Sequence, residues 1–151
     1  DCHMDIMAAR SPVFMAMFQS NMKEKQKNTV NIEDCRAGVF DKMLNFIYTG
    51  NVSSPDAISE IISELFKAAD KYQLDLLKDV CEESLCSNLK VNNCLEYLVL
   101  GDMHHTSKLK KLALRLVVEK ADSIIETEVF KDLLKQKPEL AYEVKKALTK
   151  K

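Results

Sequence analysis

The side chains in this sequence best suited to chemistry are three histidines, His3, His104 and His105, and four of its five cysteines, Cys2, Cys81, Cys86 and Cys94. A thiol beside an imidazole is a nucleophile with its base, and four such groups brought together hold zinc. The spacing supports neither. Cys81 and Cys86 fall about 140° apart around a helix that turns about 100° per residue, so one ligand site does not easily take both. No Cys-x-x-Cys pair occurs. Cys81 and Cys94 sit in apolar helical stripes, where a thiol acts as a small buried hydrophobe, and His104-His105 reads as a solvated turn at a helix junction. With three glycines in all, the chain offers no phosphate-cradling loop. Glu82-Glu83 belongs to a solvent face. No catalytic residue, cofactor site or metal site is expected, and a thiol enzyme is the remote alternative.

The elements that would position these groups are helices. At 46% hydrophobic and 30% charged, 151 residues describe an ordinary globular chain of one or two small domains. Lys+Arg of 22 against Asp+Glu of 23 gives no general attraction to nucleic acid or to an anionic membrane. The apolar runs are too short to span a bilayer, and no signal-peptide pattern opens the chain. An odd number of scattered cysteines suits reduced thiols, hence an intracellular setting in nucleus or cytoplasm. A start at Asp1, without an initiator methionine, is expected of a fragment.

Ser11-Pro12 opens a short helix bearing Val13, Phe14, Met17 and Phe18, and Val39, Phe40, Met43, Leu44 and Ile47 form another that stops near Thr49-Gly50. Ser54 as N-cap and Pro55 at the first position start a third, with Ile58, Ile61, Ile62, Leu65, Phe66 and Ala69 at helical spacing. The next carries Leu77, Val80, Cys81, Ser84 and Leu85 inward. Further helices are expected over about 91–101, 106–120, 127–136 and 138–149, with Thr106 and Thr127 as caps and Gly101 near a helix end. In helix 106–120 the inward stripe is Leu109, Leu112, Leu116 and Val117, while Leu114 and Val118 point elsewhere, so neighbours should sandwich it. Only "TVNI" (29–32) alternates like a strand, and a lone strand leaves its backbone groups unpaired. The basic run "KLKKLALRL" could suit a membrane surface or a partner's groove, but its apolar side is broad enough to read as a packed helix with a lysine-bearing outer face.

Several strings carry a resemblance. "AARSPVFMAMF" (8–18), "FIYTG" (46–50) and "AADKYQLDLLKDVCEESLCSNL" (68–89), in that order, are similar to the BTB/POZ domain of the speckle-type POZ protein family. The likeness runs from about His3 to Leu89 and continues more weakly to the C-terminus, where the helices resemble the truncated BACK region of that family. It implies a mainly α fold: residues 1–89 as the C-terminal part of a BTB/POZ domain with at most one or two short strands, and 90–151 as a BACK-like helical extension. It also implies a substrate adaptor of a ubiquitin ligase, in which the BTB domain engages a cullin and a MATH domain captures substrates. Within the resemblance, Met22 and Glu24 fit a hydrophobic-x-Glu motif that docks on the cullin, and Ile6 matches a position in the homodimer interface.

The physical sense of Met22 is that of a flexible apolar anchor in a polar loop, "SNMKEKQKNT", with a glutamate beside it to fix orientation. Burying such a side chain contributes about 1.5–3 kcal/mol. The other reading folds Met22 back as the last turn of the helix that holds Phe18. Four departures accompany the likeness: the family's first strands and first helix have no counterpart here, no MATH domain is present, Lys23 and Lys25 add positive charge beside the motif, and Lys145 stands where the family has a tyrosine used in self-association. A non-degradative self-association module, as in BTB domains of transcriptional regulators, is the alternative function. Neither reading involves nucleic acid or membrane.

Overall fold

A computed structural model of the chain describes residues 3–20, 32–52 and 60–150. Among the described residues there are ten helices and no strand: α1 (Met4–Arg10), α2 (Pro12–Ser20), α3 (Ala37–Thr49), α4 (Ile62–Lys71), α5 (Asp75–Ser87), α6 (Cys94–Met103), α7 (Ser107–Glu119), α8 (Ala121–Ile124), α9 (Glu128–Gln136) and α10 (Pro138–Leu148). The fold is mainly α. Thr29 to Asn31 of the expected strand lie outside the described residues, and Ile32 is irregular. The chain forms two compact units, residues 1–84 and 85–151, with the boundary inside α5.

In the first unit, α1 packs on α2 and α3, and α3 packs on α4. Ser11 separates α1 from α2 by taking an extended conformation, φ −133° and ψ 118°. Its hydroxyl then accepts a bond from the Phe14 N–H (3.2 Å) and donates one to the Tyr72 carbonyl oxygen (2.5 Å). This is an N-cap satisfying one of the free donors of α2, and it pins the start of that helix to the end of α4. Phe14 is fully buried and stacks on Tyr72 with centroids 4.6 Å apart, while Phe18 and Phe40 approach it at 6.0 and 6.5 Å. Met7, Met43, Ile47, Leu65, Phe66, Leu77 and Cys81 fill the rest of this core. Gly50 ends α3 at φ 71°, the left-handed conformation open to a residue without Cβ, and its N–H closes on the Phe46 carbonyl at 2.8 Å.

Two expectations in this unit require correction. Ser54, Pro55 and Ile58 lie outside the described residues, but Glu60 and Ile61 form a turn and α4 begins only at Ile62. The adjacent β-branched pair Ile61-Ile62 favours continuous helix less than its spacing suggests. On α5 the buried stripe is Leu77, Cys81 and Leu85, and Val80 faces out at 39% exposure. Positions four apart already fill the contact, which leaves no room for the flanking residue.

In the second unit, α7 packs chiefly on α6 and also touches α10 and α8, while α9 packs on α10. This bears out the sandwiched position of α7. Its buried line is Leu109, Ala113 and Val117, so Leu112 is turned outward at 38% exposure instead of inward. The reason is the closeness of α6. Gly101 lies inside α6, and a Cβ built there would stand 2.8 Å from the backbone nitrogen of Lys110. Small Ala113 and absent Cβ at Gly101 let the two helices approach, and the contact line rotates toward them. Thr127 caps α9 by accepting from the Phe130 N–H at 3.3 Å. Thr106 occupies the cap position of α7 without a side-chain cap bond; its Oγ1 donates at 3.5 Å to the Gly101 carbonyl. Lys110 Nζ donates to Asp102 and to Glu143, both at 2.8 Å, tying α6, α7 and α10 together.

Candidate functional site

Among the described residues, which do not include Cys2, the thiols and imidazoles are not brought together. Cys81 is fully buried, and desolvation pushes its pKa up to about 12. Cys94 is also raised by burial, and its thiol lies 3.1 Å from the Val91 carbonyl oxygen. Both are protonated core residues rather than nucleophiles. His3 instead meets Tyr48: its backbone N–H donates to the phenol oxygen at 2.6 Å, Nδ1 lies 3.4 Å from that oxygen, and the rings meet edge to face. His104 ends α6 and the exposed His105 takes φ 55° in the turn that follows, as a solvated junction requires. Among the described residues, no cluster of three His, Cys, Asp or Glu side chains could hold a metal ion, and no helix is long and apolar enough to cross a membrane.

Met22 and Glu24 lie outside the described residues, as do Lys23 and Lys25. Ile6 lies on α1 at 38% exposure, beside the buried Met7. Lys145 is exposed on α10.

A charged groove lies within the first unit. The stretch 34–36 and α4 enclose a cavity of about 190 Å³, lined by Asp34, Arg36, Glu64, Lys67, Lys71 and Tyr72 among others. Arg36 pairs with Glu64 at 2.7 Å, and Lys71 pairs with Asp34. Tyr72 donates from its hydroxyl to Asp34 Oδ1 at 3.3 Å, and the Lys71 ammonium lies 5.8 Å from the centre of the Tyr72 ring. Burial first, and the neighbouring Cys35 second, raise the Tyr72 pKa, so the phenol keeps the proton it donates. Burial and then Glu64 raise the Cys35 thiol too. Nothing in this groove is poised to attack a substrate. Its ion pairs are exposed and each is worth under about 1 kcal/mol, so they exchange readily for charges on a partner protein. Sequence patterning offers no sign of this groove, because it joins residues 34 to 36 with a helix some 30 positions later.

The comparisons agree with a protein-binding role. The BTB/POZ domain family model matches residues 1–89. TD and POZ domain-containing protein 1 of Mus musculus is 42% identical over 146 residues, covering 97% of this chain and 40% of that protein. TD and POZ domain-containing protein 1-like, also of Mus musculus, is 40% identical over the same extent. The chain thus spans about two fifths of the length of these relatives. They bear the TD and POZ name rather than that of the speckle-type POZ proteins, so the kinship is established at the level of the BTB/POZ domain.

Proposed function

We propose that this chain, which belongs to the BTB/POZ domain family, is an intracellular protein-interaction adaptor that docks on a cullin scaffold and supports ubiquitination of proteins delivered by other parts of the assembly. In this reading residues 1–89 are the BTB/POZ part and 90–151 a BACK-like extension resembling that of the speckle-type POZ proteins. The observation that carries it is the family match over 1–89 together with Met22-Lys23-Glu24, an apolar side chain and an acid in an otherwise polar stretch that directly follows α2. Met22 fills an apolar depression on the cullin, and Glu24 meets a basic group beside it. The exposed ion pairs of the groove formed by residues 34–36 and α4 offer a partner's surface charges to exchange with, which favours rate and orientation more than affinity.

The exposed Ile6 beside buried Met7 supports a second reading, self-association through α1 without a cullin. Sedimentation of the full chain with and without a cullin N-terminal fragment separates the two. A faster-sedimenting mixed complex supports the adaptor. Concentration-dependent dimers with no mixed complex, abolished by Ile6→Asp, support the self-association module instead.

A further inference from the structure

Two helix faces that the proposed function leaves unused carry opposite charge. On α5, Leu77 and Cys81 are fully buried, while Leu76 is 67% exposed and Val80 39%. Asp75, Asp79 and Glu83 are exposed beside them. At about 100° per residue, Asp75, Asp79, Glu83, Leu76 and Val80 fall in that order within an arc of about 140°. The face is therefore a row of carboxylates running along a two-residue aliphatic ridge. A leucine two thirds exposed in the first turn of a helix, continued by Val80 one turn on and flanked by acids, is the kind of surface that a basic amphipathic helix covers.

The sequence contains such a helix. On α7, Lys108, Lys111 and Arg115 are exposed, and Leu112 stands among them at 38% exposure. These four share an arc of about 100°, which is the lysine-bearing outer face of "KLKKLALRL". Arg115 spends one donor on Glu119 at 3.0 Å, an exposed pair with its arginine side chain 75% accessible and readily exchanged. The rows match in length: Asp75 to Glu83 spans about 12 Å and Lys108 to Arg115 about 10 Å at about 1.5 Å per residue.

We propose that α7 of one copy docks on α5 of a second copy, with Leu112 against the Leu76–Val80 ridge and Lys108, Lys111 and Arg115 opposite Asp75, Asp79 and Glu83. Both halves of the contact belong to one chain, and a net charge of −1 leaves little general repulsion between copies. Because the two patches differ, each copy offers one basic and one acidic face, so the contact either pairs reciprocally in a closed dimer or ring or propagates as a chain. It involves about two turns of each helix, well under the roughly 1,200 Å² of a standard interface, so it is weak alone and strongly reduced by salt.

The test is sedimentation velocity of the full chain across a concentration series, at low and high salt, in an Ile6→Asp background that removes any association through α1. The expected result is a concentration-dependent mass that falls at high salt. Asp75→Lys/Asp79→Lys and Lys111→Glu/Arg115→Glu should each weaken association by about tenfold or more, and an equimolar mixture of the two should restore it. All four positions are exposed, so circular dichroism should be unchanged in every variant. A mass independent of concentration, a charge reversal without effect, or a mixture that fails to reassociate overturns the proposal. Loss on the α5 reversal alone also overturns it and assigns the acidic ridge to a different basic partner.

Discussion

Replacing Gly101 by alanine sets two effects of opposite sign against each other. In a helix interior, alanine is favoured over glycine by about 1 kcal/mol because it loses less backbone entropy on folding. At Gly101 the added Cβ would stand 2.8 Å from the Lys110 nitrogen, 3.0 Å from its Cα and 3.2 Å from its Cβ. Two of those three atoms are backbone, so no side-chain rotation relieves the overlap, and α6 and α7 have to part. Overpacking of this kind costs about 1–3 kcal/mol. Since the parting also disturbs the Lys110 bridge to Asp102 and Glu143, the upper part of that range applies, and the net effect is a destabilisation of about 1–2 kcal/mol. At a urea slope of about 2 kcal/mol per molar, the unfolding midpoint followed by circular dichroism should fall by roughly 0.5–1 M. Gly38→Ala is the companion variant: nothing lies within 4 Å of its Cβ position, so the midpoint should hold or rise. A Gly101→Ala midpoint equal to or above that of the parent would refute the close-packed contact of α6 and α7, and with it the reason given for the outward turn of Leu112.

Two further predictions concern the polar links. Ser11→Ala removes the cap of α2 and leaves the buried Tyr72 carbonyl without its hydroxyl donor; the loss should be about 2–3 kcal/mol by urea unfolding, and a change under about 0.5 kcal/mol contradicts the pinning of α2 to α4. Lys110 has its pKa raised above the ordinary 10.5 by the hydrogen bond to Asp102, then that to Glu143, so its contribution is fully present below 10.5 and is lost as pH rises through the higher folded value. The parent should therefore be more stable than Lys110→Met at neutral pH, with the gap shrinking in thermal melts above pH 10.5; a gap constant across that window contradicts the bridge.

Helix identity was legible because it rests on local signals. Pro12 and Pro138 at helix starts, Gly50 at a helix end and Thr127 as a cap are all where these residues reduce the cost of a helix terminus. The orientation of each helix was less legible. Val80 and Leu112 have the right spacing for burial, but the width of the buried stripe is set by how closely the neighbouring helix approaches, and that depends on residues such as Gly101 from another element. Gly101 itself read as a helix end and proved to be a contact point. The stacking of Phe14 on Tyr72 and the Asp34–Lys71 pair join residues far apart in sequence, where periodicity carries no information. The docking motif is a matter of family likeness: Met22 and Glu24 lie outside the described residues, and the polarity of "SNMKEKQKNT" is the one signal beside that likeness.

The proposed function depends most on Met22 and Glu24 meeting a cullin. Titration calorimetry of the full chain with a cullin N-terminal fragment should give a saturable complex, weakened by about tenfold or more on Met22→Ala and again on Glu24→Lys. Affinity unchanged in both variants, or no heat of binding from the parent chain at all, would contradict it.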